Sequence, residues 1–116
     1  MTVKKFRLKA NEIKDLKISL GACFATDKIT VEGKKVNFMY RQKSDNAQDS
    51  GWRFFSGEES EEYTNDPNNT SIFDVNTIAN YDSSIIPFLD SSSGSVFERN
   101  QKTGQLSQIF DFKFPE

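Results

Sequence analysis

The sequence contains no histidine and a single cysteine, Cys23, among its 116 residues. Without histidine, the chain lacks the commonest general base and metal ligand, which excludes zinc sites, Ser-His-Asp triads and Cys-His dyads within one chain. A lone cysteine excludes an intrachain disulfide and is typical of a cytoplasmic protein, where it packs as a small buried hydrophobe. We therefore expect no metal and no cofactor.

Long apolar runs are also missing. The stretch Leu20-Gly21-Ala22-Cys23 looks like a lipoprotein cleavage box, but the segment before it carries several charges and cannot enter a bilayer. No other segment approaches the roughly 20 apolar residues of a membrane span. We expect a chain that is not exported, does not contact a membrane and stays in the cytoplasm.

The composition is that of one globular domain spanning residues 1–116. Hydrophobic residues make up 35% and charged residues 28%, and eleven Phe, three Tyr and one Trp provide a large aromatic area for the core. A chain of this length forms one ordinary domain.

Several patterns predict strands, among them the short apolar run 22–25 and the extended segment 96–99. Residues 3–9 mix apolar residues with cations, and the turn 32–35 separates two strand-forming runs, 29–31 and 36–40, which favours a hairpin. Alternation in the second run places Val36, Phe38 and Tyr40 on a mainly apolar face and Met39 on a mixed face. Residues 52–55 are predicted to pair antiparallel with that run, and the alternating segment 110–114 is predicted to be a half-buried strand.

Helix signals are fewer. Asn11 is a plausible N-cap for a short helix that ends at Gly21, and Asp74 for a helix through Tyr81. Asp82 favours a further short turn that ends near residue 87. The sequence therefore predicts an α+β fold, a single domain with a mainly antiparallel β-sheet and two or three short helices.

The charge pattern changes sign after Arg53. Residues 1–53 hold twelve cations and six carboxylates, whereas residues 54–98 hold nine carboxylates and no cation. The densest part is an acidic loop that we regard as a candidate partner-binding surface, with the solvated loop as the alternative: Glu58, Glu59, Glu61, Glu62 and Asp66. A calcium loop that begins at Asp66 needs Gly and Glu where Ser71 and Thr77 stand, so that motif fails.

Trp52 directly precedes this loop in an aromatic run. Core packing is one interpretation, a partner-facing edge is another, and a stacking platform for bases is a third. A net charge of −2 and the neighbouring acids repel phosphates, so we expect no nucleic-acid partner. The carboxylate pairs Glu58/Glu62 and Asp45/Asp49 lie in hydrophilic loops where nothing separates their pKa values, so we expect no catalytic residue and no enzyme.

Several motifs together resemble a bacterial family catalogued first as a domain of unknown function and then as immunity protein 33-like. The resemblance covers about residues 20–100 and rests on residues 22–23, 45–57, 62–63, 76–82, 85–87, 94–95 and 97–99. It implies a small α+β protein that binds and neutralises a cognate protein toxin in the producing cell, and it implies no catalytic residue.

Two functions from different classes follow. The first is an immunity protein whose acidic loop contacts the toxin. The second is a non-catalytic module that binds a small ligand or regulates, using an aromatic pocket near Trp52 and Tyr63. The sequence favours no particular oligomeric state.

Overall fold

The computed structural model describes residues 4–17, 19–44 and 46–112. Within them the chain forms a six-stranded sheet with the order β4-β1-β3-β2-β5-β6. The strands are β1 Ala22–Thr26, β2 Phe38–Arg41, β3 Asp49–Phe55, β4 Thr70–Asp74, β5 Val96–Arg99 and β6 Leu106–Ile109. The α-helices are α1 Asp27–Thr30, α2 Glu61–Asn65 and α3 Val75–Tyr81, and the 3-10 helices are Ala10–Glu12, Pro67–Asn69 and Ser83–Phe88.

Strand pairing is antiparallel at every junction of this sheet except between β1 and β3. The expected pairing of the segment around Trp52 with the strand ending near Tyr40 is confirmed, since Arg53 lies opposite Tyr40. The α+β class with a mainly antiparallel sheet is confirmed as well.

The two faces of the sheet have different neighbours. Helix α3, the 3-10 helix after it and α1 pack on one face, which we call the closed face. The buried side chains of that core are Cys23, Ala25, Ile29, Val36, Met39, Trp52, Phe54, Val75, Ile78, Ala79, Ile85, Leu89, Phe97 and Leu106. The opposite, open face presents Phe24, Phe38, Tyr40, Arg53, Phe55 and Glu98, in the registers that pair Phe38 with Phe55 and with Glu98.

This arrangement corrects the predicted faces of β2. Met39 is fully buried on the closed face, whereas Phe38 and Tyr40 lie on the open one. The alternation correctly predicted that Phe38 and Tyr40 share one face and that Met39 lies on the other. Because both faces of β2 are largely apolar, the sequence pattern alone does not show which face the helices cover.

The predicted hairpin around residues 32–35 is wrong. Ile29 and Thr30 belong to α1, and Thr26 occupies the N-cap position with extended backbone. Ile29 is fully buried in the core. A single helical turn brings Ile29 into that core, and β2 begins only at Phe38, where it pairs with Phe55 instead of with residues 29–31.

The amino-terminal expectations also need correction. Residues 4–9 form no strand, and the predicted helix from Asn11 is reduced to the 3-10 turn Ala10–Glu12. The backbone that follows bonds to two side chains of α3 instead of to itself. The amides of Leu16 and Lys17 donate to Asn76 Oδ1, and the amide of Lys14 donates to Asn80 Oδ1. These tertiary bonds replace helical ones and tie the segment to α3.

The helix starts predicted at Asp74 and Asp82 are confirmed, although the Asp74 side chain forms no capping hydrogen bond. Helix α3 begins after Asp74, and the Asp82 carboxylate accepts from the amide of Ser84 at the start of the next 3-10 helix. Tyr81, at the end of α3, donates its hydroxyl to the carbonyl of Thr30 and accepts from the amide of Leu8. These residues hold the helices on the closed face.

In the described residues at the carboxyl end, the predicted strand over 110–114 is not seen. The last strand is Leu106–Ile109, and residues 110–112 are not in a strand. The remainder of the predicted strand, residues 113–114, lies outside the described residues. Phe112 nevertheless packs on the open face, with ring centroids 5.3 Å from Phe38 and 5.4 Å from Tyr40.

Candidate partner-binding surface

The acidic loop lies directly after β3 and contains α2. Ser60 is the N-cap of α2, and its hydroxyl accepts from the amide of Tyr63. Glu61 and Glu62 stand in the first turn of α2, where carboxylates interact favourably with the partial positive charge of the helix terminus. Both are exposed and form no ion pair within the described parts of the chain.

Glu58 and Asp66 lie on either side of that helix and are exposed too. Glu58 is 3.6 Å from the Lys34 ammonium, a contact that solvent screens because both side chains are about half exposed. Asp66 caps the 3-10 helix Pro67–Asn69 by accepting from the amide of Asn68. These two carboxylates extend the exposed acidic surface.

Glu59 behaves differently from its neighbours, because its carboxylate points into the protein. One oxygen accepts from the amide of Ser56 and from the hydroxyl of Thr26, and the other accepts from the amide of Gly57. These bonds tie the loop to the ends of β1 and β3. The predicted partner-binding residue Glu59 therefore has a structural role in this loop.

Trp52 does not lie at an exposed edge. It is fully buried on the closed face, its ring stacks 5.9 Å from Phe54, and its indole Nε1 donates to the carbonyl of Leu89 at 3.1 Å. This burial corrects the partner-facing interpretation and supports core packing, since no part of the indole is offered to a partner. With 0% exposure, Trp52 cannot line the aromatic pocket that the alternative function placed near Trp52 and Tyr63.

Other carboxylates of segment 54–98 are engaged elsewhere. Asp82 forms a buried ion pair with Arg99 at 3.0 Å, and Asp90 pairs with Lys17 at 2.6 Å. Because these charges are neutralised, the strongest negative field of the segment comes from the exposed carboxylates Glu58, Glu61, Glu62, Asp66, Asp74 and Glu98.

An aromatic cavity of about 410 Å³ opens between the acidic loop and the open face. The described residues that line it are Phe38, Tyr40, Phe55, Gly57, Glu59, Thr64, Glu98 and Phe112. A larger trough of about 820 Å³ adjoins it and shares Phe38, Gly57 and Glu98, but that trough also carries Arg99 and Lys102. The smaller cavity thus combines rings with carboxylates, while the larger one has charges of both signs.

The sequence interpretation missed Glu98 and Phe38 as surface residues. Glu98 is 60 positions from Phe38 along the chain, and only the β2–β5 pairing places them directly opposite each other. Alternation did put Phe38 and Tyr40 on one face, and that was the available signal.

Asp49, a member of one of the carboxylate pairs considered for catalysis, is engaged by a cation. Asp49 is bound by both terminal nitrogens of Arg53, and this hydrogen bonding lowers its pKa to about 2, away from the range of a general acid. Its predicted partner Asp45 lies outside the described residues. Burial raises the pKa of the Cys23 thiol, with Asp74 adding to the effect, so the thiolate is disfavoured. Among the described residues, no group of three or more His, Cys, Asp or Glu is placed to hold a metal ion.

The described residues do not support membrane insertion through a helix. None of the helices in the described ranges has the length and apolar character needed to cross a bilayer.

Comparison with models of known protein families gave a match. The family described as Immunity protein Imm33 domain matches residues 23–110, which is more than half of the chain and includes β1 from Cys23 onward, β2 to β6, the acidic loop and the aromatic cavity except Phe112. Neither the comparison with curated proteins nor that with solved structures produced a match. The extent of the family match confirms the resemblance seen in the sequence, and the chain belongs to the Imm33 immunity protein family.

Proposed function

We propose that this chain is an immunity protein that binds a cognate protein toxin in the cytoplasm and neutralises it through an acidic surface. The observation that carries the proposal is the exposed carboxylate cluster around α2, on a chain of an immunity protein family. Segment 54–98, which supplies it, contains no cation.

The electrostatic argument favours a basic partner surface. Exposed carboxylates that are not neutralised nearby attract a positively charged cleft over about a Debye length, and this attraction raises the association rate. Toxin domains that act on nucleic acid need such clefts to hold phosphates. A loop of four exposed carboxylates would occupy the phosphate path and block substrate access.

The same features argue for binding over catalysis. The carboxylates of the loop either project into solvent or, for Glu59, are held by backbone amides. General acid–base catalysis needs a carboxylate within hydrogen-bond reach of a bound substrate, whereas the exposed side chains of this loop project into solvent. The negative field likewise disfavours nucleic acid as a direct partner.

The proposal is tested by a pull-down with the tagged chain from lysate of its native cell, at low and at moderate salt, followed by mass spectrometry. The matched variant carries Glu58→Gln, Glu61→Gln and Glu62→Gln, and it leaves the inward-facing Glu59 intact. We expect one protein with a toxin domain to be recovered by the native chain, less at moderate salt and less by the variant. Co-expression of the recovered protein should then arrest growth unless the native chain is present. Growth arrest that the chain does not relieve would contradict the proposal.

A second candidate is a small-ligand-binding or regulatory module, which the aromatic cavity of about 410 Å³ favours. That volume lies within the range of ligand pockets. A ligand screen followed by thermal denaturation tests it, because a ligand that binds only the folded chain raises the melting temperature. No stabilisation by any compound that fits the cavity would count against this function.

A further inference from the structure

The open face carries a row of three side chains that spans three strands. Phe38 on β2 lies opposite Phe55 on β3 and opposite Glu98 on β5. The rings of Phe38 and Phe55 are 5.9 Å apart at an interplanar angle of 45°. Directly opposed side chains in an antiparallel pair are close neighbours, with Cβ atoms roughly 5 Å apart. A carboxylate therefore stands beside the aromatic pair at the cavity.

The charge of this cavity is negative among the described residues that line it. Glu98 is exposed and forms no ion pair with any residue in 4–17, 19–44 or 46–112. Glu59, at the other side, is fixed by the amides of Ser56 and Gly57, so its charge is held in place without side-chain rearrangement. Apolar rings flanked by carboxylates are complementary to a group that is flat and cationic.

We propose, resting on the function proposed above, that this cavity receives an arginine side chain of the partner protein. The guanidinium stacks on the accessible surface of Phe38 and Phe55, both half-buried, and donates two hydrogen bonds to Glu98. Arginine fits better than lysine because its planar, weakly hydrated head stacks on rings and matches a carboxylate with two parallel donors. An uncharged apolar side chain would leave the Glu98 carboxylate without a partner.

The inference can be tested without the toxin. The full-length ¹⁵N-labelled chain is titrated with the capped tripeptide acetyl-Gly-Arg-Gly-amide, and amide shifts are followed by NMR. The comparison peptides replace arginine by citrulline, which has nearly the same shape and no charge, or by lysine. We expect the arginine peptide to shift amides around Phe38, Phe55 and Glu98 and to bind about fivefold tighter than the citrulline peptide and about threefold tighter than the lysine peptide.

Two variants test whether the cavity causes the preference for the arginine peptide. Glu98→Gln keeps the size of an exposed side chain, so the fold should persist, and it should remove most of the preference for arginine over citrulline. Glu61→Gln removes an equally exposed carboxylate that does not line the cavity, and it should leave the preference unchanged. Equal affinity for the three peptides, or equal loss in both variants, would overturn the inference.

The outcome is separable from that of the pull-down. If the arginine peptide binds at the cavity and no toxin is captured, the arginine site stands and the immunity function fails. If a toxin is captured and the arginine peptide shows no preference, the immunity function stands and the arginine site is wrong.

Discussion

The closed and open faces of this sheet are both aromatic, yet they differ in what surrounds the rings. On the closed face, Trp52 and Phe54 are fully buried beneath α3 and the following 3-10 helix. On the open face, Phe38 and Phe55 stay partly accessible and meet carboxylates of the acidic loop and of β5. Aromatic content alone therefore does not distinguish a fully buried face of the sheet from a partly accessible one.

The largest expected difference between the faces is the loss of stability when an aromatic ring is removed from each. Trp52→Ala removes a fully buried indole and its hydrogen bond to Leu89, so we expect the free energy of unfolding to fall by about 3–5 kcal/mol. Phe55→Ala removes a half-buried ring and should cost about 1–2 kcal/mol. Urea unfolding of both variants measures the contrast. Equal losses would mean that the open face is part of the core.

A buried ion pair on the closed side gives the next contrast. Asp82 accepts from Arg99 and from the amide of Val36, both at 3.0 Å, and both side chains of the pair are at most 9% exposed. Asp82→Asn leaves Arg99 buried without a counter-charge and should cost about 3 kcal/mol. Asp90→Asn breaks an ion pair whose carboxylate side chain is 71% exposed and should cost less than about 0.5 kcal/mol. The same unfolding measurement applies, and a small loss for Asp82→Asn would show that the pair is dispensable.

Within the acidic loop, two glutamates separate structure from surface. Glu59→Gln places an amide donor against the amides of Ser56 and Gly57 or the hydroxyl of Thr26, and we expect a loss of about 1–2 kcal/mol. Glu61→Gln changes an exposed residue in the first turn of α2 and should stay within about 0.5 kcal/mol of the native chain. Thermal denaturation of the two variants compares them. If Glu61→Gln were the more destabilising, the inward role of Glu59 would be wrong.

The smallest predicted effect is the contribution of Asp49 to the free energy of unfolding, and it depends on pH. Arg53 lowers the pKa of Asp49 from 3.8 to about 2, so the folded state favours the carboxylate more than the unfolded state does. The resulting stability is complete above about pH 4 and disappears as the pH falls through 2. The free energy of unfolding of the native chain should exceed that of Asp49→Asn by about 1 kcal/mol at neutral pH, a value already reduced for the partial exposure of Asp49. This difference should shrink below about pH 4. A difference that stays constant between pH 6 and 2 would exclude this linkage, and the exposed Asp15→Asn serves as the control.

Local sequence signals predicted several parts of the fold correctly. Both Asp74 and Asp82 stand at the start of a helix, and Asp82 caps its helix through a hydrogen bond that is decided within a few residues. The segment around Trp52 is a strand, as its aromatic run indicated. The family resemblance and the fold class followed from the same segments.

The failures have a common cause in long-range pairing. Residues 14–17 bond to Asn76 and Asn80, which lie about 60 positions away, and no local pattern reports such a contact. Ile29 enters the core through a helical turn although its propensity favours a strand, so tertiary packing overrides propensity there. Thr70–Asp74 forms a strand because it pairs with β1, and its two apolar residues, Ile72 and Phe73, are too few to predict that strand from the sequence.

The sequence predicted only part of the candidate surface, because only part of that surface comes from one contiguous segment. The acidic loop is contiguous, so its charge was visible in the sequence. The cavity joins residues from β2, β3, β5, the loop and Phe112, and only the sheet order brings them together. Glu59 looked equivalent to Glu58 and Glu61 until its hydrogen bonds to the loop backbone were seen.

The most direct test of the proposed acidic interface is the association rate of the chain with the toxin recovered from the lysate. The native chain and the variant with Glu58→Gln, Glu61→Gln and Glu62→Gln are compared by stopped-flow at low and at moderate salt. We predict that the variant associates about tenfold more slowly at low salt and that its rate depends less on salt, while its stability is unchanged. An equal rate and an equal salt dependence for both chains would place the interface elsewhere on the molecule and contradict the account.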